Sequence, residues 1–196
     1  MPRPAPDTAL AFADITALRA WFADHAASQP ELWVRLYKAG SGIPSVTWED
    51  CVLTALCYGW IDSQSLSDGP TAWFQRLTPR RPRSPWSQRN RAHVERLIAS
   101  GEMTPAGLAE VRAAQADGRW DAAYAGPATM EIPPDFIAAL EQHPVAAATY
   151  ATLNRQNLYA IYHRLHTAAT PETRARRMAK LIATLNDGKT FHEAGR

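Results

Sequence analysis

Only two cysteines, Cys51 and Cys57, occur in 196 residues, six positions apart in a segment whose pattern predicts one helix. At about 1.5 Å rise per residue their α-carbons lie roughly 9 Å apart, beyond the roughly 7 Å limit for a disulfide. There is no CxxC pair and no metal-spaced Cys/His set, so reduced thiols in a cytosolic core are expected, with no metal or other cofactor. No apolar run approaches the ~18 residues that span a bilayer, so no membrane insertion is expected. The start lacks the basic and apolar regions of a signal peptide. Instead Pro2, Pro4 and Pro6 make 1–8 read as a flexible arm, and a cytoplasmic location is the expectation. The sequence also lacks GxSxG, HExxH, P-loop and GxGxxG motifs, which removes the commonest hydrolase, metalloprotease and nucleotide templates. His163 and His166 stand three apart, a spacing that fits a solvated helix face better than a metal site.

What is present describes an ordinary globular chain. Apolar residues make up 46% and charged residues 20%, and 9–196 is expected to form one domain. Asp14 can cap a helix carrying Ile15, Leu18, Trp21 and Phe22. Glu31 to Lys38 alternates and is rich in β-branched and aromatic residues, so it predicts a strand. Thr47 with Asp50 three positions on opens a helix with Val52, Leu53 and Leu56 inward, ended by Gly59. Trp60 to Leu66 and Thr71 to Leu77 flank the turn residues Ser67-Asp68-Gly69-Pro70, which predicts a hairpin stopped by Pro79 and Pro82. Ser84-Pro85, Thr104-Pro105 and Thr170-Pro171 each read as helix starts, because proline at the first helical position gives up no needed N–H. From about 133 the pattern is helical. The expected fold is α+β, a small three-stranded sheet with an antiparallel hairpin, packed with and followed by about six or seven helices.

Net charge is only +2, but it is unevenly placed. Between Arg76 and Arg96 seven arginines face the single acid Glu95, so this stretch carries +6 and the remainder −4. Arg80, Arg81 and Arg83 alternate with prolines and read as exposed. Guanidinium forks match phosphate or carboxylate, and a helix starting at Ser84 would add free N–H groups. A hairpin can bring Asp62 toward Arg76, as either an ion pair or a polar pocket. Trp60 and Trp86 suit core packing, with stacking on a base or sugar as the alternative. Ser87 and Asn90 share a helix face, and Asn90 in an apolar stripe needs a partner, either a ligand or a buried loop. Arg174, Arg176 and Arg177 read as the solvated face of the last helix, with Met178, Leu181, Ile182 and Leu185 inside.

Two segments carry a family resemblance: Ala55-Leu56-Cys57-Tyr58-Gly59-Trp60-Ile61-Asp62, and Arg76-Leu77-Thr78-Pro79-Arg80-Arg81 with the following Ser84-Pro85-Trp86-Ser87-Gln88-Arg89-Asn90. They resemble the ALCFGWID-like, RFTPRR-like and SxWSxxN hallmarks of the YdeI/OmpD-associated family, labelled bacteriocin-protection proteins. The resemblance continues through Gly101 to Gly107, Asp117 to Trp120 and Glu172 to Arg177. Thr54 stands where the family commonly has an acid, and Ser65 to Ser67 where it commonly has basic residues. The resemblance implies a stress or toxin-tolerance role and no established reaction. The residues themselves imply an anion-binding surface of Trp60, Asp62, Arg76, Arg80, Arg81, Arg83, Trp86, Ser87 and Asn90, fitted to an anionic small molecule or a polyanion. Nucleic-acid binding through the arginine stripe is one alternative, and would weaken steeply with salt. An enzyme using Asp62 with Arg76 or Arg80 on a phosphorylated or carboxylated molecule is the other.

Overall fold

In β1 (Leu32–Tyr37) alternate residues Leu32, Val34 and Leu36 are buried on one face, as period-two alternation requires. The computed structural model describes residues 7–192, so nearly all of the arm expected at 1–8 lies outside the described residues. β2 (Trp60–Asp68) and β3 (Ala72–Pro79) form the expected hairpin, and β1 pairs with the far side of β3, giving an antiparallel sheet of order β1-β3-β2. Leu32 lies opposite Leu77 and Trp33 opposite Arg76; across the hairpin Asp62 lies opposite Leu77, and the register shifts between Asp62 and Ser65.

Two helices cover the leucine face of this sheet. α1 (Ile15–His25) starts at Asp14, whose carboxylate accepts from the Ala17 N–H at 2.9 Å. α2 (Trp48–Cys57) starts at a complete capping box: the Asp50 N–H donates to Thr47 Oγ1, and the Thr47 N–H donates to Asp50 Oδ2. Leu18 and Phe22 of α1 and Cys51 and Ala55 of α2 meet Leu32, Val34, Leu36, Trp60 and Leu77 in one core. Val52 and Leu56 are buried as expected, whereas Leu53 is only half-buried.

α3 (Gln88–Ala99) begins three residues later than the Ser84-Pro85 signal predicts. The backbone there is committed elsewhere. The Ser84 N–H donates to Arg81 O, Arg119 donates to Ser84 O, and Arg80 donates to Pro85 O. Thr104 caps α4 (Pro105–Ala116) as its sequence predicts.

The chain divides into two units: one runs to Trp86 and resumes over Asn90–Ala122, the other comprises Ser87–Arg89 and everything from Ala123 onward. The second unit holds α5 (Pro134–Glu141), α6 (Pro144–Ala151), α7 (Arg155–His166) and α8 (Pro171–Asn186). Asn154 separates α6 from α7 by capping the latter, accepting from the Asn157 N–H at 3.0 Å. Phe136, Leu140, Ala146, Ile161, Leu165, Leu181, Ile182 and Leu185 form the second unit's core. The protein is α+β as expected, with eight α-helices among the described residues. No helix among the described residues is long and apolar enough to cross a membrane.

Candidate functional site

The strand β3 ends at Pro79, and the chain then turns through the arginine–proline segment. Arg80 is anchored at once, its N–H donating to Gly59 O at 3.0 Å. Its side chain is not exposed, contrary to the expectation from flanking prolines. It is 6% exposed, with its guanidinium carbon 3.7 Å from the centre of the Trp86 ring and one N–H reaching Pro85 O at 3.3 Å. Trp86 is buried and meets Trp120 edge-on at 5.0 Å. Arg91 completes the stack, lying 5.3 Å from the Trp120 ring and donating to Trp120 O at 2.9 Å. The result is a ladder, Arg80–Trp86–Trp120–Arg91, in which flat cations and indole faces alternate with indole edges. A desolvated cation–π contact such as Arg80–Trp86 contributes about 2 kcal/mol or more, and a partly exposed one such as Arg91–Trp120 about 0.5–1 kcal/mol.

Arg119 closes the loop from outside. It donates to Ser84 O at 2.9 Å and binds both oxygens of Asp117 at 2.8 Å. That bonding, with the charge of Arg83 as a smaller contribution, holds the Asp117 carboxyl below its usual range. Arg119 and Trp120 are the residues that sequence reasoning missed, Arg91 having been counted only as part of the arginine-rich stretch. Their signal was the Asp117-Gly118-Arg119-Trp120 segment, which carried resemblance but no partner.

Arg81 and Arg83 remain exposed, and Arg83 sits at φ 64°, in the left-handed region. For a residue with a Cβ this costs of order 1–3 kcal/mol.

The remaining candidates are dispersed. Arg76 does not meet Asp62: it binds Glu31 Oε2 through Nε at 2.7 Å and through a terminal nitrogen at 2.6 Å. Asp62 is opposite Leu77, the next residue along β3, so pleating turns Asp62 and Arg76 to opposite faces. Asp62 instead accepts from the Trp48 indole N–H at 3.3 Å. Trp60 is buried edge-on against Phe22 and Trp21. Asn90 is buried on α3, and Ser87, in the second unit, forms a parallel bridge with Tyr124. A cavity of about 320 Å³ takes in Tyr58, Trp60, Arg80 and Glu110, so Trp60 and Arg80 are the only two sequence candidates lining it among the described residues. The thiols are poor nucleophiles. Burial above all pushes Cys51 up to about 12 and Cys57 up to about 11, with nearby carboxylates adding to it.

Fold and site together define an α+β protein whose arginine–proline loop is tied down by Arg80, seated on the Trp86 ring, and by Arg119. Residues 10–110, just over half of the chain, match the family described as Domain of unknown function (DUF8412), and residues 129–188 match the family described as Bacteriocin-protection, YdeI or OmpD-Associated. The chain belongs to the first family, and its C-terminal part is similar to the second. The segments 55–62 and 76–90 that carry the resemblance fall within the first match rather than the second. No curated protein and no solved structure matches the chain.

Proposed function

We propose that this is a non-catalytic tolerance protein of the bacteriocin-protection kind, which binds an anion on its arginine–proline loop through Arg81 and Arg83. The family match over residues 129–188 supports the tolerance role. The anion reading rests on one observation: Arg80 from within and Arg119 from outside tie down the loop, and Arg81 and Arg83 stand exposed on it. A preformed loop spares the backbone part of the ordering cost that weakens flexible binders, leaving only that of the two arginine side chains. The left-handed Arg83 adds support, because backbone strain of this kind collects at functional sites. Buried, protonated thiols and an Asp62 engaged with an indole favour binding over catalysis.

The test is the double variant Arg81→Ala with Arg83→Ala, titrated with sulfate, phosphate and a polyanion. It should lose anion binding while stability changes by less than about 0.5 kcal/mol, as at other surface sites. Undiminished binding in the double variant, or none in the parent protein, refutes the reading. A nucleic-acid partner would be marked by affinity for duplex that falls steeply with salt, since each neutralised phosphate contributes about −0.9 to the logarithmic slope.

A further inference from the structure

The second unit carries a basic surface of its own. From Gln142 to Asn186 the single acid Glu172 stands against Arg155, Arg164, Arg174, Arg176, Arg177 and Lys180, a net +5. One of these, Arg174, is neutralised by a two-oxygen ion pair with Asp135. Three others converge. Arg164 near the end of α7, and Arg177 and Lys180 of α8, line one pocket of about 450 Å³ together with His163, Leu181 and Phe191. No carboxylate lines it, and none forms an ion pair with these three cations among the described residues.

The two arginines are held in place rather than free to swing away. Arg177 donates to Arg164 O at 2.7 Å and to Thr167 Oγ1 at 3.3 Å. Arg164 donates to Ala160 O at 3.2 Å and lies 5.0 Å from the centre of the Phe191 ring. Phe191 is fixed in turn, its N–H donating to the buried Asn157 Oδ1 at 2.8 Å. Each of these bonds uses one or two of the five donors a guanidinium has, so donors remain on both arginines. The hydroxyls are otherwise engaged: Thr167 donates to His163 O and Thr184 to Lys180 O.

The end of α7 offers these cations the negative pole of a helix, but that amounts to roughly half a charge against three. The crowding registers on His163. Burial first, then the positive neighbours His166, Arg164 and Arg177, hold its pKa below the usual histidine range. The other groups against that ring are Tyr124 and Tyr159, neither of them anionic at neutral pH.

We propose that this pocket binds a small phosphate-bearing molecule, with Arg164, Arg177 and Lys180 holding the phosphate. Two anchored guanidiniums, an exposed ammonium beside them and a fourth group that can gain a proton match a phosphomonoester dianion better than a single carboxylate. The volume falls in the range of small-molecule sites, about 300–1,000 Å³, and Phe191 and Leu181 give an organic group an apolar wall. This site shares no residue with the Arg81–Arg83 loop, so either reading can fail without the other.

The full chain is titrated calorimetrically with inorganic phosphate, pyrophosphate and phenyl phosphate at low ionic strength. Phenyl phosphate should bind, and Lys180→Glu should weaken it by at least about tenfold, the scale of one charge-assisted bond. Arg112→Glu makes the same charge change on exposed α4 of the first unit and should alter affinity by less than about twofold. If the charge reversal disrupts α8, Lys180→Ala should still weaken binding by about threefold or more. On saturation the His163 ring pKa, followed by NMR, should rise, because an anion beside the imidazolium stabilises it. No binding by the parent protein at millimolar ligand, equal losses in Lys180→Glu and Arg112→Glu, or a His163 titration that ignores the ligand would each overturn the proposal. So would tighter binding of a polyanion than of the small phosphates.

Discussion

Arg80 shows how one side chain can reverse the meaning of its neighbourhood. Arginine among prolines predicts a solvated charge, yet this guanidinium lies over the Trp86 ring, buried in the first unit. Arg80→Ala would remove the cation–π contact and leave a void beside two indoles. It is expected to lower stability by roughly 2–4 kcal/mol in urea denaturation followed by circular dichroism. Arg80→Lys should recover less than half of that, since an ammonium keeps the charge but cannot stack as a plane. A loss under about 0.5 kcal/mol would mean that the ladder is not a stabilising unit. The sequence showed the ladder's parts without its assembly. The aromatic bulk of Trp60 and Trp86 made core packing the better reading, and both are buried. What it hid was Trp120, 34 residues beyond Trp86, because local periodicity carries no information about which distant segment returns.

At the scale of elements, the starts of helices were the most legible feature, because capping is local chemistry. Asp14, the Thr47–Asp50 box, Thr104 and Thr170 all cap where their sequences predict. The Ser84-Pro85 signal is the exception, since Arg80 and Arg119 claim the carbonyls that a helix would need. The hairpin was legible from its turn residues; the pairing of β1 with β3 rather than β2 was not, being a choice between two long-range partners. Packing of α4 on α2 was equally hidden, though a glycine marks it. Thr104 donates both its N–H and its hydroxyl to Cys57 O, drawing the start of α4 onto the end of α2. A Cβ at Gly107 would lie 2.3 Å from Cys57 O and 2.8 Å from Leu56 O, both backbone atoms with no room to yield. In an ordinary helix glycine to alanine gains up to about 1 kcal/mol. Here Gly107→Ala is expected to cost roughly 3 kcal/mol or more by chemical denaturation. A stabilising or neutral result would show that the two helices do not approach this closely.

For the molecule as a whole, a net charge of +2 conceals two basic stretches of sequence, Arg76 to Arg96 and Gln142 to Asn186, and an acidic balance elsewhere. The thiols report on the stability of the unit that carries the sheet. Cys51 and Cys57 are both buried and unbridged, on a helix whose inner face is part of the sheet's core. Burial raises both pKa values, to about 12 and about 11, whereas an unfolded thiol titrates near 8.5. The sign follows from linkage. Below about 8.5 both states are protonated, and the thiols make no pH-dependent contribution. Above it the unfolded state loses protons that the folded state keeps, so stability falls as pH rises toward the folded values. Reaction with a thiol reagent at pH 8 therefore has to wait for the helix to open. Native protein should show no rapid phase, and urea should release two equivalents at once. Raising the pH from 8 to 9.5 should speed the native reaction by increasing both the open population and its thiolate fraction. Aerobic handling should produce no Cys51–Cys57 linkage by mass spectrometry, the two being six residues apart on one rigid helix. Rapid stoichiometric labelling of either cysteine in the native protein would place that thiol at the surface, and the packing of α2 against the sheet would have to be redrawn.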